Sequence, residues 1–509
     1  MSNCLFDSLS KAGANSDTRL FAQTQDGRTY SYADLSAHTA RMAHALVTLG
    51  LKPGDRVLAQ VEKSIEAILL YLATIRAGGV FVPINPAYTQ NEFAYFVADA
   101  TPRLILCDPE RHAAYRGIVP AGVRLETLDR SGAGSLSSLA ASQPSDFETV
   151  PRRAGDLAAL LYTSGTTGRS KGAMLSHGNL VSNAETLCSL WRFTSADKLI
   201  HALPVFHTHG LFVATNVTLI AGAFMYVLPK FSEVEILKLL PQATALMGVP
   251  TFYTRLLDAP ALDRALTQNI RLFVSGSAPL MGETHKAWAA RTGKVILERY
   301  GMTETNMITS NPYDGERRPG SVGLPLPGVE VRVVEPSSGA RLPAGEVGEI
   351  EVRGPNVFSG YWNNPEKTQE SFRPDGFFMT ADLGRFEDDG YLSIVGRSKD
   401  LIITGGFNVY PREVEAEIEA IPGVAEAAVI GLPHPDFGEG VAALVVMEQN
   451  GSSDEKTLIE KLGESLASYK RPKRILFTPE LPRNAMGKVE KTKLRENFKN
   501  LFTENRTGT

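Results

Sequence analysis

Short apolar runs separated by helix-like stretches recur through the first three hundred residues, and this alternation does most to narrow the folds open to the chain. Asp55–Val61 (DRVLAQV) reads as a strand, Ser64–Ala77 as a helix stopped by Gly78-Gly79, and Val80–Ile84 (VFVPI) as a second strand. Arg103–Cys107, Leu157–Tyr162, Arg271–Ser275 and Val295–Arg299 continue the series. Strands that alternate with helices are joined by crossovers and run parallel, with helices on both faces of the sheet. From about Gly320 the texture becomes short strands with frequent Gly and Pro, which predicts a β-rich subdomain over about 320–396. After Gly396 it changes again. Pro411 opens a helix whose Val414, Ile418 and Ile421 share a face, strand-like Val424–Ile430 and Val441–Met447 follow, and a helix is expected near Lys456–Ser468. The expected architecture is α/β: a large N-terminal domain of doubly wound parallel sheets plus the β-rich subdomain, residues 1–396, and a small α+β C-terminal domain, residues 397–509.

Composition removes several function classes. Lys and Arg number 52 against 56 Asp and Glu, so the basic excess of a general nucleic-acid binder is missing. Cys4, Cys107 and Cys188 are too dispersed for a disulfide framework or a thiolate metal cage, and suit a reducing, cytoplasmic setting. Met1–Ser10 lacks the charged and apolar regions of a secretory signal. The stretch 199–229 holds no Asp, Glu, Lys or Arg and is long enough to cross a bilayer. His201, His207, His209, Asn216, Pro204 and Pro229 interrupt it, however, so a buried strand and helix without a membrane partner is expected.

The densest chemical signal is Tyr162-Thr163-Ser164-Gly165-Thr166-Thr167-Gly168-Arg169-Ser170-Lys171-Gly172. Its glycines let backbone N–H groups turn toward an anion, its hydroxyls donate hydrogen bonds, and Arg169 and Lys171 add positive charge, which together make a polyphosphate cradle. It is not a Walker A loop, because Ser170 stands where that motif has its second glycine. Gly168-Arg169-Ser170-Lys171-Gly172 does match G-x-S-x-G, which would make Ser170 a hydrolase nucleophile on a strand-to-helix elbow. A serine between two cations suits phosphate better.

This loop resembles the phosphate loop of the acyl-adenylate-forming superfamily, which contains acyl-CoA synthetases, luciferases and peptide-synthetase adenylation domains. Glu298-Arg299-Tyr300-Gly301-Met302-Thr303-Glu304, Thr380-Ala381-Asp382, Gly396-Arg397-Ser398-Lys399-Asp400 and Pro482-Arg483-Asn484-Ala485-Met486-Gly487-Lys488 resemble its later motifs in order and spacing. The resemblance covers nearly the whole chain and implies a ligase that uses ATP and CoA as co-substrates with Mg²⁺. It implies ATP or AMP contacts from Thr163, Ser164, Gly165, Thr166, Thr167, Gly168, Lys171, Gly276, Ser277, Ala278, Glu298, Arg299, Tyr300, Gly301, Met302, Thr303, Asp382 and Arg397. Among these Thr303 would bond the α-phosphate, Tyr300 stack on adenine and Asp382 accept from the ribose, while Glu304 holds Mg²⁺. Lys488 would bridge the reacting carboxylate and the α-phosphate. The small domain would be mobile about a hinge near 397–400 at Lys399, with Gly405, Gly406 and Phe407 lining the pantetheine tunnel of CoA.

Within that superfamily the chain most resembles the branch that activates malonate. His201–Phe212, Met247–Arg255, Ser275–Leu280 and Arg299–Met307 carry the likeness. A dicarboxylate keeps one carboxylate after the other reacts, and a buried anion needs a cation. The resemblance assigns this to Arg255, with Ser277 as a second donor and His207 near the acyl group. Methylmalonate is expected to fit as well, another short or medium acid is the alternative, and a monomer or homodimer is expected.

Overall fold

The computed structural model describes residues 2–13, 18–163, 170–448, 451–484 and 487–502. Strands form where the apolar runs fall: Arg56–Gln60, Val80–Pro83, Leu104–Cys107, Leu157–Tyr162, Leu272–Ser275 and Ile296–Met302. The Ile65–Arg76 helix starts on Ser64, whose hydroxyl accepts the Ala67 N–H. It is buried on nearly every side, so its sequence is apolar all round rather than striped.

Among the described residues two sheets dominate the first part of the chain. A six-stranded sheet has the spatial order Arg124–Thr127, Leu104–Cys107, Arg56–Gln60, Val80–Pro83, Leu157–Tyr162, Gly172–Ser176. Its neighbours are parallel except for the last pair. A nine-stranded sheet has a parallel centre of Ile296–Met302, Leu272–Ser275, Ala245–Gly248, Lys198–His201, Phe224–Val227 and Leu20–Thr24, with antiparallel strands at both edges. Glu330–Val334, Gly348–Arg353, Phe378–Phe386 and Leu392–Arg397 make an antiparallel sheet where the Gly- and Pro-rich texture begins. A further five-stranded sheet is built from strands between Ile402 and Phe477 and is packed with the Pro411–Glu419 and Glu455–Leu462 helices. The α/β class, with a large first part and a smaller last part, is as expected. Buried apolar residues cluster accordingly: two cores lie within Leu5–Leu392 and two within Ile402–Leu494.

Two details differ from the sequence expectation. The last helix of the pattern is shorter, Glu455–Leu462, and ends at Gly463. The uncharged stretch 199–229 holds more than one strand and one helix. Parallel strands Lys198–His201 and Phe224–Val227 enclose a π-helical turn, His209–Thr215, and a short helix, Asn216–Ile220. A π-turn leaves no mark in apolar periodicity, and such turns concentrate at functional sites. No described helix is long and apolar enough to cross a membrane.

In the nine-stranded sheet Met247 pairs with His201, Gly248 with Ser275 and Ser275 with Glu298. The carboxyl ends of the parallel strands therefore lie side by side on one edge, where α/β folds place their ligands.

Candidate active site

The Ile296–Met302 strand carries the centre of the site. Side chains alternate along a strand, so Glu298 and Tyr300 face one way and Arg299 the other. Tyr300 Oη donates to Asp382 Oδ2 at 2.5 Å, and Arg397 Nε lies 2.9 Å from Asp382 Oδ1. The Asp382 charge raises the Arg397 guanidinium above its ordinary range. Asp382 sits after Ala381, whose φ is +58°, and its N–H donates to Thr380 Oγ1 at 3.1 Å. Glu298 is buried, with Oε1 accepting the Leu280 N–H at 3.0 Å and Oε2 without a protein partner. Burial pushes its carboxyl up to about 7.

Thr303, Glu304 and Thr305 make the turn from this strand into the antiparallel Asn306–Ser310 strand. Gly301 permits it: a Cβ there would lie 2.0 Å from Asn306 O. Glu304 is buried, accepts from Tyr361 Oη at 2.9 Å, and has its carboxyl raised by burial. Lys171 Nζ lies 5.7 Å from the Tyr361 ring. Lys171 thus approaches Glu304 from the phosphate loop, whose base is closed by Thr163 N donating to Lys171 O at 3.0 Å. Ser164, Gly165, Thr166, Thr167, Gly168 and Arg169 lie outside the described residues. The loop joins Leu157–Tyr162 to the antiparallel Gly172–Ser176 strand. A nucleophile elbow needs a strand-to-helix turn, so the hydrolase reading of Ser170 is overturned.

Lys488 comes to this edge from the far end of the chain. Asn484 N donates to Lys488 O at 2.9 Å and Gly487 has φ +74°, which shapes a tight turn, although Ala485 and Met486 within it are outside the described residues. A Cβ on Gly487 would lie 3.8 Å from Thr251 Oγ1. The turn is therefore seated against the start of the Pro250–Leu257 helix. Burial lowers the Lys488 ammonium to about 8, helped by Arg397 and opposed by Asp382 and Glu304. Residues more than a hundred positions apart thus share one electrostatic environment.

The opposite face of the strand forms a second half of the site with a different character. Arg299 is 3% exposed, and its Nε and Nη2 have no protein partner. Burial lowers it to about 9. Its guanidinium fills the space beside Gly276, where a Cβ would lie 2.4 Å from its central carbon. Ser277, with φ +71°, brings its Oγ to 3.3 Å from His209 Nδ1. The His209 N–H donates to His207 Nδ1 at 3.3 Å, and His209 Nε2 is buried without a partner. Burial, reinforced by Lys488 and Arg299, drops His207 to about 3, so it is neutral at physiological pH. Buried polar groups are normally paired, so this group of unpaired donors is shaped for something the protein does not itself supply.

Arg255 lies on the exposed side of its helix with its guanidinium 5.6 Å from the Phe231 ring. Arg299, expected among the nucleotide contacts, is the buried arginine and lies beside Gly276. The signal was present in the strand alternation: if Tyr300 and Glu298 face the nucleotide, Arg299 cannot. The CoA-tunnel candidates stand apart. Gly405 (φ +56°) and Gly406 (φ +84°) turn a hairpin whose Phe407 is exposed and stacks on Tyr469 at 4.7 Å. Lys399 is exposed in the Ser398–Asp400 turn.

A family model described as AMP-binding enzyme matches residues 10–362, and one described as AMP-binding enzyme C-terminal domain matches residues 413–488. A malonate–CoA ligase of Arabidopsis thaliana is 35% identical, over 97% of this chain and 89% of its own length. Crystal structures of MatB from Rhodopseudomonas palustris, 56% identical, cover 99% of this chain and 100% of their own. The ATP-bound form superposes with a TM-score of 0.97 and the apo form with 0.87.

Proposed function

This chain belongs to the AMP-binding enzyme family, and on that premise we propose that it is a malonate–CoA ligase acting in two half-reactions. In the first, a malonate carboxylate oxygen attacks the α-phosphorus of ATP and pyrophosphate leaves, giving malonyl-adenylate. In the second, the CoA thiolate attacks the acyl carbon and AMP leaves, giving malonyl-CoA. The observation that carries the choice of acid is Arg299: a buried, unpartnered guanidinium beside Ser277 and His209 fits the carboxylate that does not react.

In this reading Tyr300 stacks on adenine while its hydroxyl fixes Asp382, and Asp382 and Arg397 bond the ribose. The Thr163–Lys171 loop holds the β- and γ-phosphates. Two anions must meet for the first step, and fixed cations offset their repulsion where water is excluded. Lys488 does this between the carboxylate and the α-phosphate, and Thr303 bonds the same phosphate. Glu304 would hold Mg²⁺. A single carboxylate suits an ion that keeps water and phosphate oxygens as its other ligands, and the described residues form no three-residue His, Cys, Asp or Glu cage. Bound with ATP, the ion supplies charge neutralisation of the phosphates.

We propose further that the chain pivots near 397–400, that Lys488 withdraws after adenylation, and that the Gly405-Gly406-Phe407 hairpin turns in to line the CoA path. Methylmalonate adds one methyl and is expected to react. The test is pyrophosphate release and thioester formation with malonate, methylmalonate, succinate, acetate and a medium-chain fatty acid. Release that needs both ATP and malonate supports the reading. Equal or faster turnover of acetate or the fatty acid overturns it.

A further inference from the structure

No motif marks Lys63, yet it is a buried lysine that the proposed reaction leaves unused. It follows the Arg56–Gln60 strand, is 6% exposed, and forms no ion pair with a carboxylate among the described residues. Its Nζ lies 3.0 Å from His201 Nδ1, 2.7 Å from His201 O and 2.8 Å from Leu203 O. On the other side of the ring, His201 Nε2 lies 3.0 Å from both Gly210 O and Thr215 Oγ1, and Thr215 Oγ1 donates to that same carbonyl at 3.0 Å.

Counting donors fixes the charge. Gly210 O can only accept and takes the single Thr215 hydroxyl proton, so His201 Nε2, which faces both oxygens, carries a proton of its own. The remaining contact, Nδ1 to Nζ, needs one proton on either the ring or the amine, and the two carbonyls take two more from Lys63. A neutral imidazole beside a neutral amine would set two lone pairs against each other at 3.0 Å. Burial pushes both groups toward their uncharged forms, but the geometry needs one proton more than the neutral pair possesses. Whichever nitrogen holds it, the pair carries one positive charge.

That charge has a definite place. His201 bonds the carbonyl of Gly210 inside the π-turn, the residue before it is His209, and His209 reaches Ser277. Gly210 packs closely on the Pro204 carbonyl: a Cβ there would sit 2.0 Å from Pro204 O. The groups gathered on this side, Lys63, His201, His207, His209 and Arg299, are cationic or neutral. We propose that the proton shared by Lys63 and His201 forms a buried positive charge behind the acyl half, and that this charge favours acids carrying a second anionic group. Lys63 acts through the π-turn and through its field, and so is a specificity-determining and positioning residue that does not touch substrate.

The inference rests on the malonate reading, and the experiment separates the two. kcat/KM for malonate and for butyrate is measured in wild type, Lys63→Gln and Lys63→Met, together with KM for ATP. The expected result is at least a tenfold fall in the malonate-to-butyrate ratio in both variants, with KM for ATP unchanged. A ratio that stays constant overturns the inference. A wild type that does not prefer malonate overturns the functional reading, and the selectivity role with it. Because the variants could fail to fold, the wild-type enzyme is also labelled with ¹⁵N at the histidine rings and the lysine ε-nitrogens. A Lys63–His201 pair holding one excess proton at pH 7 supports the inference, and a neutral ring beside a neutral amine overturns it.

Discussion

Replacing Arg299 by Met is expected to damage activity while stabilising the fold. Burial draws the guanidinium down from its ordinary range to about 9. At about 1.4 kcal/mol for each tenfold of proton affinity, keeping it charged at neutral pH costs the folded chain on the order of 5 kcal/mol. The folded value lies below the unfolded one, so this penalty is fully present below pH 9 and fades as pH rises from 9 toward the ordinary arginine range. Methionine removes the charge but fills the space beside Gly276 less well, at about 1–3 kcal/mol, leaving a net gain of roughly 2–4 kcal/mol. The catalytic effect has the opposite sign. A substrate carboxylate buried without its partner loses about 3–5 kcal/mol, which is a fall of roughly 10² to 10³ or more in kcat/KM for malonate. Urea unfolding gives the first quantity and malonate-dependent pyrophosphate release the second. A variant within threefold of wild type on malonate, or one that unfolds at markedly lower urea, would refute the idea of a guanidinium held unpaired for the substrate.

Other outcomes follow from the same geometry. Lys488→Ala should lower malonate-dependent exchange of pyrophosphate into ATP by at least about a hundredfold, the scale of losing a fixed charge at the reacting centre. Thioester formation from supplied malonyl-adenylate should survive. Because Lys488 lies at about 8, the exchange rate of the wild type should decline as pH rises past that value, and an unchanged rate to pH 9.5 would contradict it. Tyr361→Phe removes one hydrogen bond to Glu304, worth about 0.5–1.5 kcal/mol, so activity should fall at most about tenfold and recover with added Mg²⁺. Arg255→Ala should cost malonate turnover less than Arg299→Met does, since exposed charges contribute only about 1 kcal/mol. Paired kcat/KM values decide this.

Much of the fold was legible because each signal was local. The apolar run from Leu157 to Tyr162 and the Ser64-capped helix needed only their own neighbours to be recognised, and the segments around Tyr300, Asp382, Arg397 and Lys488 kept their order along the chain. The π-turn at His209–Thr215 was not legible, because its backbone is held by His201 and Thr215 rather than by a periodic pattern. The burial of Lys63 was equally hidden: its partners are His201 and Leu203, more than 130 residues away.

The amino-acid order alone determined which residue types are available to hold phosphate, ribose and metal, because that chemistry sits in contiguous motifs. Only the tertiary structure decided which arginine is buried. Arg255 and Arg299 carry the same charge, and the difference between them is burial and the lack of a protein partner. Both properties depend on what the rest of the chain packs around them, and no stretch of sequence holds that information by itself.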